Sequence, residues 1–247
     1  MIRSMERSPQ VLARIGGVLY LAIILFGLFG ELFVRGTLVV SGDPAATANA
    51  IAASPTLWRA GIVGDLLMHV CDVPVILILY LLLRPVSESL ALLATLINLV
   101  QTAVLVTNKL NLLVPLFLLD GGSYLKAFSP EQLQTLGYLA VKAHGYGFGI
   151  GLIFFGFACL VRGYLIFRSG YFPKLLGLLL LLAGLSYLIN SFALLLAPSF
   201  ATAIFPAVLL PAFVGELSVC LWLIVKGVNL QQWKRQTRPG PARSAAS

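Results

Sequence analysis

The sequence predicts an all-α membrane protein, a polytopic bundle of six transmembrane helices with both termini in the cytoplasm. Composition, six long apolar runs and the distribution of Lys and Arg lead to this prediction. Of 247 residues, 59% are hydrophobic and 11% are charged, whereas soluble domains are about half apolar and about a quarter charged. Such a chain has too little polar surface for water, so the lipid bilayer is its expected partner.

Six apolar runs are long enough to cross a bilayer, which requires roughly 20 residues each. The first follows a basic start, but it lacks a small-x-small cleavage site, so we expect a retained helix rather than a signal peptide. No long polar segment separates the runs. We therefore expect one membrane domain over 14–230, a cytoplasmic segment over 1–13 and a basic, disordered cytoplasmic tail over 231–247. The predicted spans are 14–34, 60–84, 88–110, 136–161, 173–196 and 205–227.

The basic residues indicate the orientation, because cytoplasmic loops are enriched in Lys and Arg. The net charge is +8, but its carriers lie between and beyond the apolar runs, so nucleic-acid binding is not expected. Their bias predicts that both ends face the cytoplasm of a cell inner (plasma) membrane. With the N-terminus inside, the inner residues are Arg3, Arg7, Arg14, Arg84, Arg162, Arg168, Lys174, Lys226, Lys234, Arg235, Arg238 and Arg243, and the outer ones are Arg35, Arg59, Lys109, Lys126 and Lys142.

The connections between spans differ in length on the two sides. The inner ones, 84–87 and 162–172, are short. In the first outer loop, Asp43-Pro44 reads as a helix start, and we expect an interfacial helix over 45–53. In the second, Ser129 through Gln132 resembles a capping box with Pro at the first helical position. The fourth helix should therefore begin near residue 130, outside the bilayer.

Several polar residues fall inside the predicted spans, where a charged group costs about 2.5–3.5 kcal/mol or more at the helix centre. At 1.5 Å per residue they lie about 5 to 18 Å from the outer helix ends, and the inner half is nearly pure Leu, Ile, Val and Phe. A shared interior pocket, open to the outer side, would be cheaper than separate lipid-facing groups. The candidates are Glu31, Asp65, His69, Asp72, Gln101, Asn108, His144, Asn190 and Glu216.

Asp65, His69 and Asp72 form the sharpest pattern, because their i, i+4, i+7 spacing places them on one helix face. Three interpretations stay open. The residues could bind a metal, with Asp65, His69, Asp72 and His144 as ligands; they could relay protons; or they could tie helices together in a structural network. The zinc motif H-E-x-x-H is absent, and no cofactor is indicated.

Other features have local explanations. Glu31 precedes Arg35 by four residues, which predicts an ion pair near the interface. The three cysteines show no metal-binding spacing and are expected to pack as small apolar residues. A run of small residues in the fourth span predicts close helix packing; its members are Gly145, Gly147, Gly149, Gly151 and Gly156.

Several stretches resemble a bacterial family of multi-pass membrane proteins, domain of unknown function 4386. The similarity covers roughly residues 10–230 and implies a multi-pass bacterial membrane protein, with no catalytic residue assigned. The stretches that carry it are Ala13 to Leu21, Ile62 to Leu67, Cys71 to Val73, His144 to Gly147, Phe154 to Gly156, Tyr164 to Pro173, Gly215 to Leu217 and Lys226-Gly227.

Three functions fit these observations. The first is binding or transport of a small or lipid-like ligand through the outer polar pocket, with Asp65, His69 and Glu216 as polar contacts. The second is a membrane-embedded, metal-dependent hydrolase in which Glu216 acts as acid or base. The third is a structural or partner-binding membrane subunit.

Overall fold

A computed structural model describes residues 8–237; residues 1–7 and 238–247 lie outside the described part. Within it all regular secondary structure is helical, and six helices are long and apolar enough to cross a membrane. We number the helices in chain order. The six long ones are α1 (Pro9–Leu38), α3 (Pro55–Leu83), α4 (Glu88–Leu118), α5 (Pro130–Ser169), α6 (Lys174–Leu196) and α8 (Ala207–Val225). The short ones are α2 (Pro44–Ala53), α7 (Pro198–Ile204) and α9 (Leu230–Thr237).

The six predicted spans are confirmed, but the predicted connection over 162–172 is too long. Helix α5 continues to Ser169, and the connection to α6 covers only 170–173. The helix ends where Gly170 adopts a left-handed conformation with φ of 70°, which glycine adopts without steric strain. No residue between 162 and 169 interrupts a helix. The charge of Arg162 was wrongly taken as the end of the fourth span.

Both predicted helix starts in the loops are confirmed. The Asp43 side chain accepts a hydrogen bond of 2.9 Å from the backbone N–H of Ala46 at the start of α2. Ser129 and Gln132 form a reciprocal capping box at the start of α5. These caps satisfy backbone donors that have no partner inside the helix.

Close helix packing through glycine is also found. A Cβ atom at Gly156 would lie 3.0 Å from the carbonyl oxygen of Gly184, and one at Gly163 would lie 2.8 Å from that of Gly177. Helices α5 and α6 therefore approach with backbone against backbone. The prediction is wrong for Gly145, where a Cβ atom would meet nothing within 4 Å.

The two ends of the described chain meet at one end of the bundle. The side chain of Gln10 donates to the carbonyl of Lys226 at 2.7 Å and accepts from the N–H of Val228 at 2.9 Å. Trp233 of α9 packs edge-on against Tyr171, with ring centroids 4.9 Å apart. We call this the terminal end of the bundle and the opposite end, which carries α2, the distal end. Helix α9 falls in the predicted tail, whose last ten residues lie outside the described part.

Apolar side chains cover the bundle and fill its terminal half. Leu196, Val70 and Phe33 are 81%, 67% and 64% exposed, as expected of side chains that face lipid. The main core lies towards the terminal end. A second apolar cluster lies towards the distal end and consists of Val34, Leu38, Ile51, Trp58, Ile62, Leu112, Leu116 and Val141.

Candidate functional site

A buried ion network surrounds Asp65 in the distal half of the bundle. Asp65 is 1% exposed and accepts hydrogen bonds from Arg35 Nη1 of α1 at 2.7 Å and from Lys109 Nζ of α4 at 2.8 Å. The imidazole Nε2 of His144, on α5, lies 3.2 Å from the same lysine nitrogen. A lysine ammonium only donates, so Nε2 is the acceptor. Asp65, Arg35, Lys109 and His144, together with Glu31, are five residues from four spans. We call them the Asp65 network.

Arg35 joins the network to the surface. Its Nε donates to Glu31 Oε2 at 2.8 Å, which confirms the predicted local pair. The Glu31 side chain is 61% exposed, whereas that of Arg35 is 11% exposed. The guanidinium therefore holds two carboxylates, one at the surface and one inside the bundle.

Two irregularities in the backbone lie at the Asp65 network. Residues Phe29–Arg35 of α1 form a π-helix, and Lys109 is a turn residue that interrupts α4 between Asn108 and Leu110. A Cβ atom at Gly30 would collide with the Asp65 carboxylate and lie 3.0 Å from Arg35 Nη2. Short π-helical segments occur frequently at functional sites. Here the segment brings the two charges of α1 to the network.

A second network lies deeper, around Asp72. Asp72 Oδ2 accepts hydrogen bonds from Thr102 Oγ1 at 2.6 Å and from Asn98 Nδ2 at 3.3 Å. Asn98 also donates to Gln101 Oε1 at 2.6 Å, and its own oxygen accepts from Arg162 Nη1. All five side chains are buried. Three spans, α3, α4 and α5, are tied together by this central network.

Glu216 has a separate set of partners. One of its carboxylate oxygens accepts a hydrogen bond of 2.9 Å from the hydroxyl of Tyr20, and the other accepts from the hydroxyl of Tyr187. A small cavity of about 10 Å³ adjoins Tyr20, Cys159 and Arg162, and Arg162 Nη2 has no hydrogen-bond partner in the described part of the chain.

The remaining candidates make fewer contacts. His69 is 3% exposed, and its Nε2 has no partner among the described residues. It lies between Asp65 and Asp72 on α3. Asn190 is half-buried. Asn108 donates to the carbonyl of His144 at 2.8 Å, which connects α4 to α5.

The structure does not gather the candidates into one shared pocket. Asp65 and Asp72 are seven residues apart, or about 10.5 Å along the helix axis, so each organises its own surroundings. In residues 8–237 no group of three or more His, Cys, Asp or Glu side chains could hold a metal ion. The four residues considered as metal ligands do not form such a group: Asp65, His69, Asp72 and His144.

Two buried basic residues of these networks were not predicted from the sequence. Lys109 and Arg162 were assigned to the outer and inner surfaces, but they are only 3% and 6% exposed. Lys109 belongs to the Asp65 network and Arg162 to the central network. The half that was expected to face the cytoplasm is therefore less purely apolar than predicted. Each stands at the edge of an apolar run. At such a position the sequence does not distinguish a buried charge from a loop charge that sets the membrane orientation. Tyr20 and Tyr187 gave no signal, because tyrosine is common in membrane helices.

Comparison with known proteins identifies the family. An uncharacterized protein of Archaeoglobus fulgidus is 32% identical over 178 residues, which covers 72% of this chain and 89% of that protein. No solved structure matches. The model of a family described as a domain of unknown function, DUF4386, matches residues 15–227. The chain therefore belongs to the DUF4386 family.

Proposed function

We propose that this protein binds or transports a small or lipid-like ligand in the distal half of the membrane, and that the Asp65 network is the switch that opens this half. The observation that carries the proposal is the pairing of one buried carboxylate with cations from two other helices. The ligand contacts are proposed to be Asp65, Lys109 and His144.

A purely structural role is a weaker explanation of this network. Replacing a buried ion pair by apolar residues of similar volume is often neutral or stabilising, so four charges are not needed to hold the helices together. Ionisable groups inside membrane proteins usually mark pathways or sites. The two remaining side chains of the set, Glu31 and Arg35, lie where the network meets the surface.

The charges allow an exchange of partners without leaving a buried charge unpaired. Arg35 already pairs with Glu31, and Lys109 already pairs with Asp65. If the Arg35–Asp65 contact breaks, two neutral pairs remain, one on α1 and one between α3 and α4. Helix α1 can then move away from α3 at a low electrostatic cost, because neither half carries an uncompensated charge. The π-helix in α1 lies at the point where this movement would begin.

We further propose that the distal end is the outer side of the cell inner (plasma) membrane, with both termini in the cytoplasm. The exposed or half-buried basic residues favour this orientation. Those towards the terminal end are Arg14, Arg84, Arg168, Lys174, Lys226, Lys234 and Arg235, and those towards the distal end are Arg35, Arg59, Lys126 and Lys142. Labelling of single cysteines at 126 and 234 in intact cells tests the orientation: residue 126 should react with an impermeant reagent and residue 234 should not.

Mass spectrometry of the molecules released from purified protein tests the function. Protein isolated from its own membrane should carry a molecule enriched over bulk lipid, and the enrichment should fall in Arg35→Gln. Arg14→Gln is the matched control, because Arg14 is exposed at the terminal end. If the same molecules are released in the same amounts from all three proteins, while Arg35→Gln melts at a lower temperature, the network is structural and the proposal is wrong.

A further inference from the structure

A second feature of the distal end is a half-open cavity of about 170 Å³. It is enclosed by the short helix α2, the end of α4 and the beginning of α5. None of the intramembrane candidates lines it. The lining residues are Thr47, Ala48, Asn49, Ile51, Pro115, Leu118, Leu119, Pro130, Leu133, Gln134, Gly137 and Tyr138.

The chemistry of the lining defines what the cavity can accept. None of the twelve lining residues is charged, and most of the wall is apolar. Two side-chain amides, of Asn49 and Gln134, line the cavity without a hydrogen-bond partner in the described part of the chain. The hydroxyl oxygen of Tyr138 accepts a hydrogen bond from the N–H of Gly42 at 2.6 Å, so one of its acceptor positions is occupied. An apolar wall with two available amides suits an uncharged molecule that has one hydrogen-bonding group.

The size of the cavity limits that molecule to about one small ring. An apolar protein cavity of about 150 Å³ is large enough to bind benzene. A longer chain would extend out through the open side of the cavity. A charged group would have no counter-ion in this lining and would lose its hydration.

The cavity also adjoins the second apolar cluster, which lies next to the Asp65 network. Ile51 belongs both to the cavity wall and to the second apolar cluster, together with Val141 of α5. Gly137, Val141 and His144 follow one another on one face of α5 at spacings of four and three residues. A molecule in the cavity therefore rests on the same helix face that presents His144 to Lys109.

We infer that this cavity is the binding site for a small, uncharged, amphipathic molecule, with the apolar part held by Ile51, Pro115 and Leu133 and the polar group held by Asn49 and Gln134. The inference deepens the proposed function, on which it rests, by naming the class of ligand. It places the first contact outside the ion network.

Fluorine NMR with three related probes tests this inference on the full chain in lipid nanodiscs, with empty nanodiscs as the reference. The probes are 4-fluorophenol, fluorobenzene and 4-fluorobenzoate. Saturable binding is expected for 4-fluorophenol, weaker binding for fluorobenzene and none for the charged benzoate. Gln134→Ala should weaken binding of the phenol and leave that of fluorobenzene unchanged.

A cavity-filling variant provides the decisive comparison. A Cβ atom at Gly137 would make only ordinary contacts, the nearest at 3.6 Å from Leu118, so Gly137→Leu extends into the cavity. It should weaken 4-fluorophenol binding at least about tenfold. Gly145→Leu is the matched control on the same helix, where a Cβ atom meets nothing within 4 Å. Ala48→Leu fills the cavity from α2 and serves if Gly137→Leu does not fold.

The outcomes separate this inference from the proposed function. Equal phenol binding by the wild type, the filled variants and Gly145→Leu, or no saturable binding at all, would overturn the cavity as the site. Dependence of the co-purified molecule on Arg35 would then still support the switch. Conversely, phenol binding that disappears in the filled variants supports the cavity even where Arg35→Gln changes no co-purified molecule.

Discussion

Replacing Lys109 with methionine tests the pairing on which the Asp65 network depends. The change keeps a side chain of similar length and removes the ammonium that lies 2.8 Å from Asp65 Oδ2. Asp65 is 1% exposed, so water cannot replace the lost partner. Arg35 alone would then have to serve both Asp65 and Glu31.

The magnitude follows from the burial. Removing one partner of a buried ion pair costs about 3–5 kcal/mol, which corresponds to a fall of about 6–20 °C in melting temperature for a chain of this size. Arg35→Gln should cost less, about 1.5–3 kcal/mol, the range for one hydrogen bond to a charged group, because Asp65 keeps Lys109. If Lys109→Met destabilises the protein more than Arg35→Gln does, the Lys109–Asp65 pair is the permanent one and the Arg35–Asp65 contact is the one that can be exchanged.

The assay is thermal unfolding of purified protein in one detergent, with Lys126→Met as the control for the same substitution at an exposed site. The double variant Lys109→Met with Asp65→Asn should lose less unfolding free energy than the two single variants together. The expected difference is about 0.5–3 kcal/mol. If Lys109→Met is no less stable than Lys126→Met, or if the double variant is additive, Lys109 does not hold Asp65 and the switch has no basis.

Two further predictions concern close contacts. Gly30→Ala should destabilise the protein by about 1–3 kcal/mol, because its Cβ atom collides with the Asp65 carboxylate; thermal unfolding beside Gly145→Ala, where space is open, measures the difference. Tyr20→Phe should cost about 1 kcal/mol through the lost hydrogen bond to Glu216, and the same change in a Glu216→Gln background should cost a different amount. If the effects of Tyr20→Phe and Glu216→Gln on the unfolding free energy simply add, the Tyr20–Glu216 hydrogen bond contributes nothing to stability.

The six spans were predictable because bilayer thickness fixes a length and a composition that hydropathy detects directly. The caps at Asp43 and Ser129 were predictable for a similar reason, since each is decided within a few residues. The local pair of Glu31 and Arg35 was also visible from spacing alone. None of these features depends on which helices are neighbours.

The site was only partly predictable, because it depends on helix neighbours that spacing along one helix does not reveal. Asp65 and His144 were recognised as buried polar groups, but their connection through Lys109 depends on how α4 turns against α3 and α5. Arg162 stood at the edge of a run and was assigned to a loop, although no helix-ending residue occurs before Gly170. The π-helix in α1 has no pattern in the sequence.

The distance between α1 and α5 at the distal end tests the proposed switch most directly. Spin labels on Phe33 and Leu139, which are 64% and 54% exposed, would report it in nanodiscs by pulsed electron paramagnetic resonance, in a background without the native cysteines. Labels on Val11 and Leu175 at the terminal end provide the control pair. Arg35→Gln should add a longer distance between Phe33 and Leu139 and leave the control pair unchanged. A distribution for Phe33 and Leu139 identical to that of the wild type would contradict the proposal that the Arg35–Asp65 contact holds the distal half closed.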